Sequence, residues 1–182
     1  MRSLKIARWT VSLFCLMLGG LANAELKAGA AAPDFSAPAA LAGKVYTFSL
    51  DAALKKGPVV VYFYPKAFTS GCTVEAKLFA EATEDFAALN ATVIGVSGDE
   101  IETLQKFSTG PCGGKFAVAA DLDRKIMKNY DASLTLLPSM ADRISYVVTP
   151  DKKILYVYNS MSPDLHVTNT LQAIKTWQTQ AK

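Results

Sequence analysis

An unbroken run of β-branched and aromatic residues, Val59-Val60-Val61-Tyr62-Phe63-Tyr64, constrains the fold of this chain most strongly, and Pro65 closes it. The run predicts a strand that is buried on both faces, because a strand with one solvated face would alternate with polar residues. A sheet covered by helices on both sides provides that burial. The run therefore predicts the centre of an α/β sheet.

The residues after this run predict a crossover to a second strand. From Thr73 to Asn90, apolar residues recur at three- and four-residue spacing, which is typical of an amphipathic helix beginning just after Cys72. Its expected apolar stripe comprises Val74, Leu78, Ala82, Phe86 and Leu89. Glu75 falls among the polar residues between them. The apolar run 92–96 then predicts a second buried strand, so that strand, helix and strand form one crossover unit.

The same patterns predict the rest of one α/β domain. Further elements are expected as an edge strand or hairpin at 45–50, helices at 99–107 and 123–130, a loop at 108–114, a strand at 116–120, a hairpin of 144–148 with 154–158, and a final helix at 165–177. No internal repeat, linker or charge block divides the sequence. We therefore expect a central mixed sheet with helices on both faces.

The first 24 residues have the pattern of a secretory leader. A basic opening without acidic residues precedes the apolar run 11–21, and the small residues Ala22-Asn23-Ala24 provide a cleavage site before Glu25. An uncleaved membrane anchor is the alternative, but the apolar run is short for a membrane span. We expect a signal peptide at 1–24 and a mature domain at 25–182, exported to the periplasm.

Removal of the leader also removes the excess positive charge. The leader carries three of the 19 Lys and Arg residues, so the mature chain has 16 of these against 16 Asp and Glu. A neutral chain without a basic cluster has no electrostatic footprint for nucleic acid or for an anionic membrane. Binding to either is therefore not expected after leader cleavage.

Two cysteines, Cys72 and Cys112, remain in the mature chain. In an oxidising compartment they are compatible with a structural disulfide. Cys72, however, lies where a buried strand has ended and a helix begins, and unpaired N–H groups and the helix dipole favour a thiolate there. The alternative for Cys72 is a small buried hydrophobic residue. Position alone leaves both interpretations open.

The octet Pro65-Lys66-Ala67-Phe68-Thr69-Ser70-Gly71-Cys72 matches the P-x-x-x-T-x-x-C signature of peroxiredoxins. With the surrounding residues it resembles the bacterioferritin-comigratory, or peroxiredoxin Q, branch of that family. Further matching segments occur in the family's order: Ala32-Pro33-Asp34-Phe35, Val93-Ile94-Gly95-Val96-Ser97 and Arg143-Ile144-Ser145-Tyr146-Val147-Val148. The resemblance covers most of the mature sequence.

The resemblance implies a thioredoxin-like fold and a thiol peroxidase that reduces hydrogen peroxide and organic hydroperoxides. It implies that Cys72 is the peroxidatic nucleophile, that Thr69 hydrogen-bonds the thiolate and the peroxide, and that Pro65 shields the pocket from water. Arg143 would support the thiolate and the charge that develops on the breaking O–O bond. Replacing Arg143 with Leu is then expected to reduce peroxide reactivity severely and to leave the fold intact. Without the resemblance, an exposed arginine at a strand start is the simpler interpretation.

A second thiol would trap the sulfenic acid that this reaction forms on Cys72. Many relatives in the branch carry this resolving cysteine five residues later, where this chain has Lys77. Cys112 is the remaining candidate, in a glycine-rich loop that we expect to move readily. An intramolecular Cys72–Cys112 disulfide is therefore expected, and a one-cysteine mechanism is the alternative. A thioredoxin-like protein would act as the reductant, and a monomer is expected.

Neither a metal nor an organic cofactor is expected, because both electrons come from thiols and one histidine with two cysteines forms no recognisable zinc set. The single histidine, His166, is expected to be solvated or to cap a surface helix. A thiol-disulfide oxidoreductase is a second possible function, but its C-x-x-C motif would require a cysteine where Thr69 stands. A non-enzymatic binding protein on the same scaffold is a third.

Overall fold

The computed structural model describes residues 25–180, and the predicted leader lies outside them. Its strands are β1 (Ser36–Leu41), β2 (Lys44–Ser49), β3 (Val59–Phe63), β4 (Thr92–Ser97), β5 (Ala117–Ala120), β6 (Ile144–Val148) and β7 (Ile154–Asn159). Its helices are α1 (Leu50–Leu54), α2 (Ser70–Glu81), α3 (Thr83–Ala88), α4 (Ile101–Thr109), α5 (Lys125–Asn129) and α6 (His166–Gln180). No helix among these residues is long and apolar enough to cross a membrane.

The seven strands form one mixed sheet in the order β2-β1-β5-β4-β3-β6-β7. Strand β3 is buried along its whole length, as its unbroken apolar run predicts. It pairs parallel with β4 and antiparallel with β6. The predicted crossover is confirmed, because α2 and α3 connect the parallel strands β3 and β4.

Helices cover both faces of the sheet, and alternate residues of β3 belong to two separate cores. Val59, Val61 and Phe63 pack with α1 and α5 in one core. Val60 and Tyr62 pack on the opposite face with α2, α3, α4 and α6. Both cysteines of the described chain belong to this second core. The prediction of a mixed sheet between helical layers is confirmed.

The helix predicted at 73–90 has a different start and a break. It begins at Ser70, which places Cys72 within the first turn, and it is interrupted at Ala82 between α2 and α3. The Thr83 hydroxyl donates to the carbonyls of Phe79 and Ala80, and a side chain that bonds to backbone in this way competes with a continuous helix.

The predicted apolar stripe was wrong for α2. Val74 is 45% exposed, whereas Glu75 is fully buried. The buried residues of α2 are Cys72, Glu75, Ala76 and Phe79. Their spacing of three, four and seven residues defines one face of a helix, so α2 is rotated relative to the prediction.

Two other regions depart from the predictions. Strand β1 was not predicted, because its sequence SAPAAL lacks the β-branched residues typical of strands. It forms by pairing with β2 along its length and with β5 at Ala39 and Ala40. The loop expected to begin at 108 begins after Thr109, where α4 ends.

Candidate active site

The segment between β3 and α2 is tied to the end of β4. The backbone N–H of Ala67 donates to Asp99 Oδ2 at 2.7 Å, and the Ser97 hydroxyl donates to the same oxygen at 2.9 Å. Pro65, at the start of this segment, is partly buried. Asp99 therefore fixes the path by which the chain leaves the sheet and enters α2.

Phe68 and Thr69 complete this connection. Phe68 has a φ angle of 65°, which is unusual for a bulky residue. Its ring and that of Phe107 form a T-shaped pair with ring centroids 5.2 Å apart. Thr69 is the N-cap residue of α2, but its hydroxyl donates to the Lys66 carbonyl at 2.9 Å. In this conformation the hydroxyl hydrogen of Thr69 is directed to the backbone and not to the sulfur of Cys72.

Cys72 lies in the first turn of α2 with 1% of its surface exposed, and its sulfur has a charged partner. Arg143 Nη2 donates to Cys72 Sγ at 3.4 Å. A Cβ atom at position 71 would lie 3.0 Å from the same nitrogen, so the absence of a side chain at Gly71 allows the guanidinium to approach. The two predicted site residues therefore come together.

Strand pairing explains how Arg143 reaches a cysteine 71 residues away. Arg143 immediately precedes β6, and β6 runs antiparallel to β3 with Ile144 opposite Phe63. The beginning of β6 therefore lies beside the end of β3, where the chain turns towards α2. Antiparallel pairing at the centre of the sheet thus positions the arginine.

Three groups besides the sulfur hold the Arg143 side chain and backbone. Its Nη1 forms an ion pair with Glu75 Oε2, and its Nε donates to the Met161 carbonyl at 2.9 Å. Its backbone N–H donates to the Asp142 carboxylate at 2.7 Å. Burial lowers the pKa of Arg143, but the negative charges of Glu75 and Cys72 outweigh it and raise the pKa above its ordinary value.

Glu75 contributes an ionisable group that sequence reasoning placed on the solvent side. Burial raises its pKa from 4.5 to about 7, although the charge and hydrogen bond of Arg143 oppose the shift. Its position three residues after Cys72 is the signal that could have placed it on the same helix face.

His166 is also buried, so the expectation of a solvated or capping residue was wrong. Its Nδ1 lies 2.8 Å from Ser145 Oγ and 3.6 Å from Glu75 Oε1, and its Nε2 lies 2.9 Å from the Ser160 carbonyl oxygen. Burial lowers the pKa of His166 below its ordinary value. The position of His166 at a helix start did not reveal this, because the α6 face that packs on the sheet begins with it.

Cys112 has different surroundings. It is fully buried in the same core as Cys72, and both are free thiols. Burial raises the pKa of Cys112 to about 12. Its turn is closed by backbone hydrogen bonds, from Cys112 N–H to the Phe107 carbonyl at 3.2 Å and from Gly114 N–H to the Ser108 carbonyl at 2.8 Å. The glycine-rich loop that was expected to move readily is a hydrogen-bonded turn in this conformation.

The site contains one thiol, a guanidinium, a carboxyl group and an imidazole. No cluster of three or more His, Cys, Asp or Glu side chains suited to a metal ion occurs within residues 25–180. A sulfur that receives a hydrogen bond from a guanidinium is suited to nucleophilic attack, because the positive charge stabilises its ionised form.

Comparisons with known proteins show the family of this chain. Residues 28–157 match the family model described as the AhpC/TSA family. Peroxiredoxin Q of Oryza sativa subsp. japonica, a chloroplastic protein, is 31% identical over 152 residues, which cover 83% of this chain and 68% of the relative. Peroxiredoxin Q of Sedum lineare is 33% identical over 122 residues, covering 66% of this chain and 65% of the relative.

Solved structures show the same fold. The crystal structure of peroxidoxin BcpB from Mycobacterium tuberculosis matches with a TM-score of 0.75 and 28% identity, covering 83% of this chain and 97% of that one. The reduced 2-Cys peroxiredoxin of Plasmodium vivax, at 22% identity, matches with a TM-score of 0.76 over 86% of this chain and 99% of that one. Together these matches identify a thiol-dependent peroxidase with a thioredoxin-like fold, and the chain belongs to the AhpC/TSA family.

Proposed function

We propose that Cys72 is the residue that attacks the peroxide. The Cys72 thiolate attacks the terminal oxygen of hydrogen peroxide or an organic hydroperoxide. An S–O bond forms, the O–O bond breaks, and the sulfur supplies two electrons. The hydroxide or alkoxide that leaves takes up a proton, and Cys72 becomes a sulfenic acid. The hydrogen bond from Arg143 Nη2 to Cys72 Sγ at 3.4 Å is the observation that supports this assignment.

Arg143 contributes a fixed positive charge to this step. Its guanidinium is already held by Glu75 and by the Met161 carbonyl, so it does not reorganise as negative charge moves from sulfur to oxygen. Pro65, which carries no N–H group, is proposed to limit access of water from the start of the loop.

Thr69 is proposed to bind the peroxide as an acceptor. Its hydroxyl hydrogen is engaged by the Lys66 carbonyl, which leaves the oxygen lone pairs free to accept a hydrogen bond from the O–H group of a hydroperoxide. This differs from the role expected from the resemblance, in which Thr69 also bonds the thiolate.

Peroxide consumption by the purified protein with dithiothreitol tests the proposal. We expect Cys72→Ser to abolish consumption, and the wild type to show little reduction of insulin under the same conditions. Undiminished peroxide consumption by Cys72→Ser would exclude Cys72 as the nucleophile. Efficient insulin reduction would instead favour a thiol-disulfide oxidoreductase, and no dependence of either activity on Cys72 would favour a binding protein.

Cys112 is proposed to resolve the sulfenic acid after a local rearrangement. Its sulfur attacks Cys72, an S–S bond forms and water leaves, so that the two thiols supply the electrons for one peroxide. Since burial raises the pKa of Cys112 to about 12, this thiol is protonated in the conformation described here. The turn after α4 must therefore open before Cys112 ionises and reaches Cys72.

Mass analysis after one equivalent of peroxide separates the two mechanisms. The proposed bridge predicts the loss of two hydrogens in an intact monomer, with Cys72 and Cys112 in one linked peptide pair. A stable added oxygen on Cys72, or a disulfide-linked dimer, would support the one-cysteine alternative.

The reductant, the oligomeric state and the location of the protein are further parts of the proposal. We expect a thioredoxin-like protein to reduce the disulfide, a monomer in solution, and export to the periplasm with cleavage before Glu25. Turnover with a thioredoxin system, sedimentation analysis, and N-terminal sequencing of the protein from an exported fraction test these three points separately.

A further inference from the structure

A second polar cluster lies behind the guanidinium of Arg143. While Nη2 of this arginine bonds to Cys72, its Nη1 bonds to Glu75, and Glu75 faces His166. Ser145 and the backbone of Ser160 complete the cluster, which consists of Glu75, His166, Ser145 and the Ser160 carbonyl. The three side chains are fully buried, although nothing in the peroxide reaction itself requires a buried histidine.

The hydrogen bonds fix where the protons of this cluster lie. The Ser160 carbonyl can only accept, so His166 Nε2 carries a hydrogen and donates it over 2.9 Å. In the neutral imidazole Nδ1 is then an acceptor, and the Ser145 hydroxyl donates to it over 2.8 Å. Nδ1 of the neutral imidazole has a single lone pair, so the Ser145 hydroxyl and a hydrogen on Glu75 Oε1 are alternative donors to it.

Glu75 Oε1 faces that lone pair. It is buried, it lies 3.6 Å from His166 Nδ1, and it has no hydrogen-bond partner within the described part of the chain. Two acceptors that face each other in a buried site are unfavourable unless a proton lies between them.

We propose that His166 is a positioning residue of the peroxidase site: together with Glu75 it holds one proton between Oε1 and Nδ1, and this proton controls how the charge of Arg143 is divided between Glu75 and Cys72. The inference rests on the proposed role of Cys72. When the proton is present, the Glu75–His166 pair is neutral and Arg143 supports the sulfur alone. When the proton is lost, the Glu75 carboxylate competes for the same guanidinium.

His166 also holds the segment to which Arg143 is anchored. The Ser160 carbonyl accepts from His166, and the Ser160 N–H donates to the Arg143 carbonyl at 3.1 Å. The next residue, Met161, accepts from Arg143 Nε at 2.9 Å. The histidine therefore acts on the arginine from two sides, through Glu75 and through the 160–161 backbone.

Burial favours a neutral pair, although the charge of Arg143 opposes it at Glu75. Burial raises the pKa of Glu75 to about 7 and lowers that of His166, so both groups favour their uncharged forms. The positive charge of Arg143, at the start of β6, lowers the pKa of His166 further, while Asp142 beside it acts in the opposite sense.

The remaining groups that face the cluster come from α2, β3 and β7. Cys72 on α2 is linked to it by the hydrogen bond from Arg143. Tyr62 on β3 is neutral, because burial raises its pKa well above the ordinary value. Tyr158 on β7 presents its ring to the imidazole at 4.8 Å, in an edge arrangement. None of these groups supplies a second positive charge to compete with Arg143.

Nitrogen NMR of the single histidine tests the proton directly and needs no enzymatic turnover. We expect the Nε2–H tautomer at neutral pH, and a change in the Nδ1 signal as the pH passes through about 7. Glu75→Gln should remove this change. An Nδ1–H tautomer, or the same Nδ1 titration in Glu75→Gln, would overturn the proposal without affecting the assignment of Cys72.

The rate of peroxide reduction between pH 5.5 and 8.5 tests the effect on the site. In His166→Gln the side-chain amide can still donate to the Ser160 carbonyl but cannot hold the Nδ1 proton. At pH 7.5 we expect its second-order rate constant to be roughly tenfold below that of the wild type. This decrease is smaller than the one caused by removing a donor that bonds the reacting atoms directly. At pH 5.5 the rate constant should approach the wild-type value.

A deficit that is the same at every pH would show a merely structural role for His166 and would overturn the proposal. Thr170→Val is the matched control, because Thr170 is buried one turn further along α6 and its hydroxyl bonds only to carbonyls of its own helix. Its rate should equal that of the wild type across the range. If His166→Gln does not fold, the NMR measurement on the wild type still tests the proposed proton between Glu75 and His166.

Discussion

The two cysteine sulfurs within residues 25–180 lie in one core, yet their surroundings differ. Cys72 lies at the amino end of α2, and Arg143 donates to it. Cys112 lies in a closed turn after α4 and belongs to a core rich in aromatic side chains, and burial raises its pKa to about 12. Both residues are almost completely buried. Burial alone therefore does not distinguish them, and the charged partner does.

Under the proposed function, this difference corresponds to separate stages of the reaction for the two thiols. In the Cys72 region a guanidinium faces the sulfur before any peroxide arrives, because buried groups already hold it in place. The Cys112 region is organised for a neutral thiol and must change before it can react. The conformation described here is thus suited to peroxide reduction and not to disulfide formation.

Removing the charged partner should have the largest effect on this comparison. We expect Arg143→Leu to lower the rate of reaction with peroxide by about 10²–10³, the usual cost of losing one preorganised donor. The sequence predicted that this variant keeps its fold, but the structure indicates that it is less stable. Glu75 is left buried without its partner, which lowers the free energy of unfolding by about 3–5 kcal/mol. Stopped-flow kinetics and thermal unfolding measure the two effects.

Arg143→Lys is the control that separates reactivity from folding. It retains a positive charge beside Glu75 but loses the planar group that bonds the carboxylate and the sulfur together. We expect it to remain folded and still to react more slowly than the wild type. A wild-type rate in either variant would contradict the role of Arg143.

The buried carboxyl group makes stability depend on pH. A pKa raised from 4.5 in the unfolded chain to about 7 in the folded one contributes roughly 3 kcal/mol, fully present below pH 4.5 and lost as the pH rises through 7. His166 acts in the opposite sense, since its lowered pKa removes stability as the pH falls below about 6.5.

Denaturant unfolding at several pH values checks this prediction. Between pH 6 and 8, the free energy of unfolding of the wild type should fall, and that of Glu75→Gln should change much less. Parallel curves for the two proteins would show that Glu75 is ionised throughout and that the two regions differ less than the structure indicates.

Substitutions of Cys112 test the second region of the comparison. Cys112→Ser buries a hydroxyl group in apolar surroundings and should cost about 1–3 kcal/mol of stability, more than Cys112→Ala if the hydroxyl finds no partner. Neither variant should change the rate of the first reaction with peroxide. A large loss of that rate in Cys112→Ala would place Cys112 in the peroxide-reacting region.

The smallest effect is expected at the loop that leads into α2. Asp99→Ala removes the acceptor for the Ala67 N–H and for the Ser97 hydroxyl. The loop then holds the start of α2 less firmly, and we expect a loss of roughly threefold to tenfold in the peroxide rate. Asp99→Asn, which keeps an acceptor oxygen, should lose less. Equal rates in Asp99→Ala and the wild type would show that the loop needs no such anchor.

The central strands could be predicted from the sequence, because a strand buried on both faces leaves an unbroken apolar run, as in β3. The same pattern predicted that Cys72 lies between the end of this strand and the start of a helix. Arg143 was identified only through the family resemblance, since no local pattern shows that β6 pairs with β3. The pairing of Ile144 with Phe63, which brings the arginine to the sulfur, is a property of the sheet.

The buried polar cluster was missed for a physical reason. The predicted apolar face of the helix includes Val74 and leaves Glu75 on the polar face, because hydrophobic periodicity places every carboxylate towards solvent. The energy that allows its burial comes from Arg143, which is distant in sequence. His166 was misplaced for the same reason, since its partners are Ser145 on β6 and Ser160 just after β7.

Trapping of the oxidised sulfur with dimedone, which reacts with sulfenic acids, tests the central claim most directly. One equivalent of hydrogen peroxide is added to Cys112→Ala, in which the proposed resolving thiol is removed, and the peptides are analysed by mass spectrometry. We predict one dimedone adduct, on Cys72. An unmodified Cys72 in protein that has consumed the peroxide, or an adduct on Cys112 in Cys72→Ala formed at the wild-type rate, would contradict the account.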